Sequence, residues 1–319
     1  MIPLVEAVRC RDENTVKMVI SSKADVEARD ANGNTALMVA VKYAAIKCAK
    51  LLVDAKADPY AEDLYGYNSL VWAALYGRTA FAPILLSEIL DFSQPDAMDT
   101  LQKLLSPRYC ENVSSKLSSF LLLDAAQQGA VDAVTLLLHS NARLDVTDDA
   151  GKTALILAAQ CGSADAVRAL LVPKADVHAE DCQLQTALIW AAENGHGQCL
   201  QLLLDFGAET THRNKDGLTA LLWAAQNGSI ECTQMLLSAK ADVDVADFDR
   251  NTALWWAACS GAVAPLPVQL VKLLLDAGAN TEATNNAGDT PLAGAVRIGA
   301  VACVERSEEH TSELQSLRH

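Results

Sequence analysis

Thr186-Ala187-Leu188-Ile189-Trp190-Ala191-Ala192-Glu193-Asn194-Gly195 is the stretch on which the fold of this chain turns, because its phrase returns 33 residues later as Thr219-Ala220-Leu221-Leu222-Trp223-Ala224-Ala225-Gln226-Asn227-Gly228. Thr153 and Thr252 head two further copies at the same spacing. A fixed period of this length marks a stack of like supersecondary units, none of which buries its apolar face alone. A stack advertises a surface and leaves its partner unnamed.

The frame extends outward from these anchors. Phe120 starts a worn copy that runs through Ala125-Ala126 to Gly129. Thr35 heads an earlier copy, Asn68 the next, and Ile2-Pro3-Leu4 with Ala7 a first. Thr290-Pro291-Leu292 lies 38 residues after Thr252, and the five extra residues fit near Ala264-Pro265-Leu266-Pro267. The expected count is eight nearly whole repeats and a truncated ninth. Residues 306–319 resemble translated sequencing-library adapter and are set aside, with the native chain expected to continue past Glu305.

Within a unit, Ala187, Leu188, Trp190, Ala191 and Ala192 share one helical face, and the alanine pair permits close backbone approach. Gly195 ends that helix, a second helix carries Leu202-Leu203-Leu204, and an extended stretch leads to a turn bearing Gly217. The unit is helix, helix, hairpin-like loop.

Asp149-Ala150-Gly151-Lys152-Thr153-Ala154-Leu155, Ala158-Ala159, Gly162 and Ala175-Asp176-Val177 resemble an ankyrin repeat, and residues 2–305 carry the resemblance apart from one insertion. It implies an all-α solenoid of stacked ankyrin repeats, elongated and curved, with first helices and loop tips on a concave recognition face. The family's histidine after Thr-Pro-Leu is replaced by Met38, Val71, Ile156, Ile189, Leu222 and Trp255, and the turn glycine is lost at Leu184 and Arg250, which leaves the local turn geometry open there without touching the fold.

The resemblance places contacts at the loop tips and at the two variable residues before the helix-ending glycine. Those pairs supply Lys42, Tyr43, Leu75, Tyr76, Gln127, Gln160, Glu193, Asn194, Gln226 and Asn227, and the tips supply Tyr65, Tyr67, Lys215 and Phe248. Tyr43, Tyr65, Tyr67 and Tyr76 cluster in repeats two and three, where they read either as an interface anchor or as rings packed on one another and on the insertion. Trp72, Trp190, Trp223 and Trp256 lie four residues past their anchors, where Leu157 and Val39 serve other copies, and are expected to wedge between repeats. Trp255 is expected to be partly exposed.

Nineteen residues beyond the period fall within about 87–116. There Asp96 to Leu105 reads as an amphipathic helix with Met98, Leu101, Leu104 and Leu105 on one side, Pro95 near its start and Pro107 beyond its end, covering the edge of the worn fourth repeat. Its Leu101-Gln102-Lys103-Leu104-Leu105 also matches a nuclear-receptor box, a pattern short enough to arise by chance.

Cys48, Cys199, Cys232 and Cys303 fall thirteen residues past their anchors, where other copies carry alanine, so they read as small core hydrophobes and not as disulfide or zinc partners. Asp242, Asp244, Asp247 and Asp249 lack the glycine and closing glutamate of a calcium loop. No phosphate-cradling loop, His-Glu-x-x-His or nucleophile elbow occurs, and His196 follows Gly195 at the family's Gly-His step.

The net charge of −15 disfavours nucleic acid, whose affinity rests on lysine and arginine neutralising phosphate, and suits a basic or neutral protein partner. No secretory signal or bilayer-length apolar run is present, so a monomeric array in the cytoplasm or nucleus, without membrane insertion, metal or cofactor, is expected. The expected function is a non-enzymatic protein-interaction scaffold; the alternative is a regulatory or targeting segment of a longer enzyme or channel.

Overall fold

The computed structural model describes residues 3–81, 84–85, 97–105, 111–259 and 267–298. Expectations placed on Pro95, Pro107, Cys303, most of the Ala264 to Pro267 insertion and the 306–319 tail lie outside them. Two compact units divide the chain, Met1–Ala154 and Leu155–His319.

Each repeat starts at a capped anchor. Thr186 is extended at φ −87° and ψ 168°, and its hydroxyl accepts the Ile189 N–H at 3.4 Å, satisfying a donor that the first helical turn leaves unpaired. Thr35, Thr219 and Thr252 cap in the same way, and Asn68 substitutes its amide oxygen at 3.0 Å from the Val71 N–H. The helix that follows is short, Ala187–Glu193 in repeat six, with Ala191 and Ala192 fully buried. Gly195, at φ +72°, lets the chain reverse into the second helix, Gly197–Asp205, whose Leu203 is wholly buried.

In the first unit the helices Pro3–Arg9, Ala36–Lys42, Ser69–Tyr76 and Glu111–Gln127 pack side by side in chain order, and Glu13–Ser21 packs on Ile46–Asp54. In the second, Ala187–Glu193, Ala220–Gln226, Ala253–Cys259 and Pro291–Ile298 make one row. Ala164–Leu171, Gly197–Asp205, Ile230–Ser238 and Pro267–Asp276 make the other. Both units are all-α, built of stacked repeats whose two helical layers enclose one apolar seam.

The loops are held by side chains more than by strand pairing. Among the described residues, bridges outside strands join Thr147 to Thr153 and Ala246 to Thr252. Where the loop is present, the residue five before the anchor does the work: Asp181 Oδ1 accepts the N–H groups of Gln183 and Gln185 at 2.8 and 2.9 Å. Asp30, Asp63, Asp148 and Asn214 repeat that pair of bonds in their own repeats.

This frame settles the turn geometry at the lost glycines. Leu184 and Arg250 adopt φ +58° and +63° and donate their N–H to Asp181 and Asp247 carbonyls at 2.9 and 3.0 Å, as Gly217 does at φ +78° to Asn214. The turn survives because its asparagine or aspartate closes it, and the branched residues bear the strain.

Repeat four departs from its neighbours. Phe120, without a capping oxygen, is buried, and the helix runs back through it to Glu111 for 17 residues. Ser118 and Ser119 donate their hydroxyls to the Ser114 and Ser115 carbonyls inside that helix. The insertion contributes a helix at Ala97–Leu104 that packs on repeat four's second helix, Val131–His139, with Leu101 wholly buried. A receptor box would need that leucine outside.

Candidate functional site

Positions four, seven and eight past an anchor share one side of a first helix. Position seven is half-buried at Lys42, Leu75, Gln160, Glu193 and Gln226, while position eight is exposed at Tyr43, Tyr76, Asn194 and Asn227; Gln127 is exposed as well. The tips at Lys215 and Phe248 are exposed, and Tyr67 is half-buried. All fourteen expected contact residues therefore reach the surface of their unit at least in part.

In the first unit several of them are assembled into one row of rings. Tyr65 lies 6.4 Å from Tyr67, Tyr67 meets Trp72 edge-on at 5.5 Å, and Trp72 stacks on Tyr76 at 5.6 Å and 21°. Tyr65 is 75% exposed and Tyr76 49%. The Lys42 ammonium lies 3.6 Å from the Trp72 ring centroid, a cation–π contact from the neighbouring repeat. Tyr43 has a separate companion, the Arg9 guanidinium at 6.0 Å.

Carboxylates hold these cations in place. Lys42 donates to Asn34 Oδ1, and the Asn34 amide in turn donates to both Asp30 oxygens at 3.0 Å. Burial lowers the Lys42 pKa, with the Asp63 and Asp30 charges pulling the other way. Burial raises the Asp30 carboxyl, but bonds from Asn34 and Asn32 and the Lys42 charge outweigh it and leave the pKa below its ordinary value. Arg9 pairs with Glu6 at 3.1 Å and Asp30 at 3.8 Å.

Trp72 is half-buried, its ring meeting Lys42 of the preceding repeat while its edge joins the exposed row. Its indole Nε1 donates to Asp63 Oδ2 at 2.9 Å, and Trp190 and Trp256 reach Asp181 and Asp247 equally, at 2.9 and 3.1 Å. These three and Trp223 are half-buried, one helical turn from the variable pair. The aspartate five before the anchor was the signal missed: its 33-residue recurrence is visible, but only the fold shows one oxygen closing the turn and the other holding the indole. Trp255 is half-buried as expected, edge-on to Trp256 at 5.1 Å.

The second unit presents a polar face. Asn227 donates to the Glu193 carbonyl of the preceding repeat, Gln185 donates to the Glu193 carboxylate at 2.9 Å, and His196 Nε2 meets the Gln160 carbonyl at 3.1 Å. Its tips form a ladder, with Lys215 N–H on the Gln183 carbonyl at 3.0 Å and Asn286 N–H on the Asp249 carbonyl at 2.9 Å. Phe248, 65% exposed, lies across Gly217, where an added Cβ would come within 2.8 Å of its ring.

Other chemistry has structural explanations. Asp242 and Asp244 oxygens accept the Asp244 and Asn280 N–H groups, and Asp247 serves its turn and Trp256. Cys48, Cys199 and Cys232 are buried with free thiols, and burial pushes the Cys199 pKa up to about 11. Among the described residues no cluster of metal-ligand side chains occurs and no helix is long and apolar enough to cross a membrane.

Comparison with known proteins agrees with this geometry. The family model for ankyrin repeats (3 copies) matches residues 4–99, 94–181, 122–214, 171–247 and 188–285. The crystal structure of the ankyrin repeat protein EF0377 superposes with a TM-score of 0.55 at 26% identity, covering 59% of this chain and 96% of its own. An ankyrin repeat domain (ABAYE2397) from Acinetobacter baumannii AYE gives 0.56 at 29% identity, covering 60% and 98%. A search of curated proteins finds no match.

Proposed function

Because the chain belongs to the ankyrin repeat family, whose arrays serve protein–protein interaction, we propose that it is a non-enzymatic scaffold that docks a partner protein on its first helices and loop tips. The observation that carries this reading is the ring row from Tyr65 through Tyr67 and Trp72 to Tyr76, exposed at both ends. Exposed tyrosines give large contact area at low entropic cost and recur among interface hot spots. The row is preformed: Asp63 fixes the indole and Lys42 covers it, so little ordering remains for binding to impose.

Surface thiols at Cys10, Cys161 and Cys182 support a reducing compartment such as the cytoplasm as part of the same proposal. Proximity labelling with the intact protein identifies the partner, and calorimetry then compares its affinity for the parent and for Tyr65→Ala/Tyr76→Ala. A loss of at least ~30-fold is expected from hot-spot tyrosines. Unchanged affinity would remove the row from the interface.

A further inference from the structure

Resting on the scaffold reading, we propose that the aromatic row of repeats two and three takes a basic peptide segment of the partner, with arginine side chains lying on the rings of Tyr65 and Tyr76. One ring of the row carries a cation from the chain itself, Lys42 at 3.6 Å over Trp72, and outside the row Arg9 lies 6.0 Å from the Tyr43 ring. A ring's negative face attracts a cation, most strongly where water is partly excluded. Tyr65 and Tyr76 are the exposed ends of the row, Tyr76 with one face stacked on Trp72, and among the described residues no cation lies over either ring.

The surrounding charge favours the same partner. Lys42 and Arg9 are matched by Asp63, Asp30 and Glu6, so they present no unopposed positive field to an incoming arginine. The tip that carries Tyr65 holds the exposed Glu62 and the buried Asp63, with a cation beside them, the Arg29 guanidinium that donates to the Glu62 carbonyl. The chain's net charge of −15 would draw a basic segment in and repel an acidic one. Arginine suits the row better than lysine, because its planar, weakly hydrated guanidinium stacks on a ring.

The test is selection of a randomised phage-displayed peptide library on the whole chain, with Tyr65→Ala/Tyr76→Ala carried in parallel and circular dichroism confirming that the variant stays folded. Enrichment of arginine on the parent is expected. A selected peptide should bind at least ~10-fold more weakly when its arginines are replaced by neutral citrulline, and as weakly to the variant. Acidic or arginine-free peptides that need Tyr65 and Tyr76 would overturn the basic partner class while leaving the row as the docking face. Peptides held equally by the variant would overturn both. No enrichment at all would overturn this inference and leave the scaffold reading to the natural partner's affinity.

Discussion

Trp190 and Asp181 are joined by a 2.9 Å hydrogen bond from the indole Nε1 to Oδ2, which ties the loop of repeat six to its own first helix. Repeat seven has lost that bond. Asn214 stands in the aspartate's place, its Oδ1 already accepts the N–H groups of Asp216 and Leu218 at 3.0 and 2.9 Å, and Trp223 Nε1 is buried with no partner. The remaining amide nitrogen of Asn214 is a donor and cannot accept from another donor. Asn214→Asp should restore the bond and stabilise the second unit by ~1 kcal/mol, read as a rise in urea midpoint. A lowered midpoint would show that desolvating the new carboxylate outweighs the bond.

Leu184 and Arg250 hold left-handed backbone angles that cost a side-chain-bearing residue free energy. Leu184→Gly and Arg250→Gly should each stabilise the protein by up to ~1 kcal/mol, seen as a higher melting temperature, after the added flexibility of the unfolded chain is offset. Gly217→Ala should do the reverse, since its Cβ would press on the Phe248 ring at 2.8 Å and on the Phe248 backbone nitrogen at 2.9 Å. Thermal melts of the three variants check both signs.

Asp124 occupies the tryptophan position of repeat four. Burial raises its pKa to about 6, and a hydrogen bond from Gln128 opposes that rise only in part. A raised folded-state pKa contributes stability that is complete below the unfolded value near 3.8 and is lost as pH climbs through about 6. The first unit should therefore weaken between about pH 4 and pH 7 by ~3 kcal/mol at most from this group. Asp124→Asn should flatten that part of the profile, and a profile identical to the parent's would exclude Asp124 as its source.

Thiol labelling should divide the cysteines by burial. Cys10, Cys161 and Cys182 should react in the native protein, whereas Cys48, Cys199 and Cys232 should wait for denaturant, because each is buried and its thiolate is disfavoured. Peptide mapping by mass spectrometry reads the order directly, and early labelling of Cys199 would show that the helical seam opens there.

The stack itself was legible in the sequence, because the same threonine phrase returns at Thr153, Thr186, Thr219 and Thr252, where the last three cap the same short helix, and the alanine pairs behind them had to admit a neighbour. The surface exposure of the expected contact residues was legible once the resemblance had placed them at loop tips and helix ends, and the structure leaves each at least partly exposed. Three things were not. The indole bonds of Trp72, Trp190 and Trp256 were missed because their aspartate acceptors lie nine residues earlier in sequence and meet them only when the loop folds back. The extended helix of repeat four was hidden because an absent cap at Phe120 leaves no positive signal. The Lys42 contact with Trp72 joins two repeats, and periodicity within one strip of sequence does not show which side chains meet across a boundary.

Hydrogen–deuterium exchange of the intact protein with and without its captured partner tests the docking face most directly. Slowed exchange at residues 36–43 and 62–76, which carry Lys42, Tyr43, Tyr65, Tyr67, Trp72 and Tyr76, is the predicted result. Protection confined to the second helices, Glu13–Ser21 and Ile46–Asp54, with residues 62–76 unchanged, would contradict it.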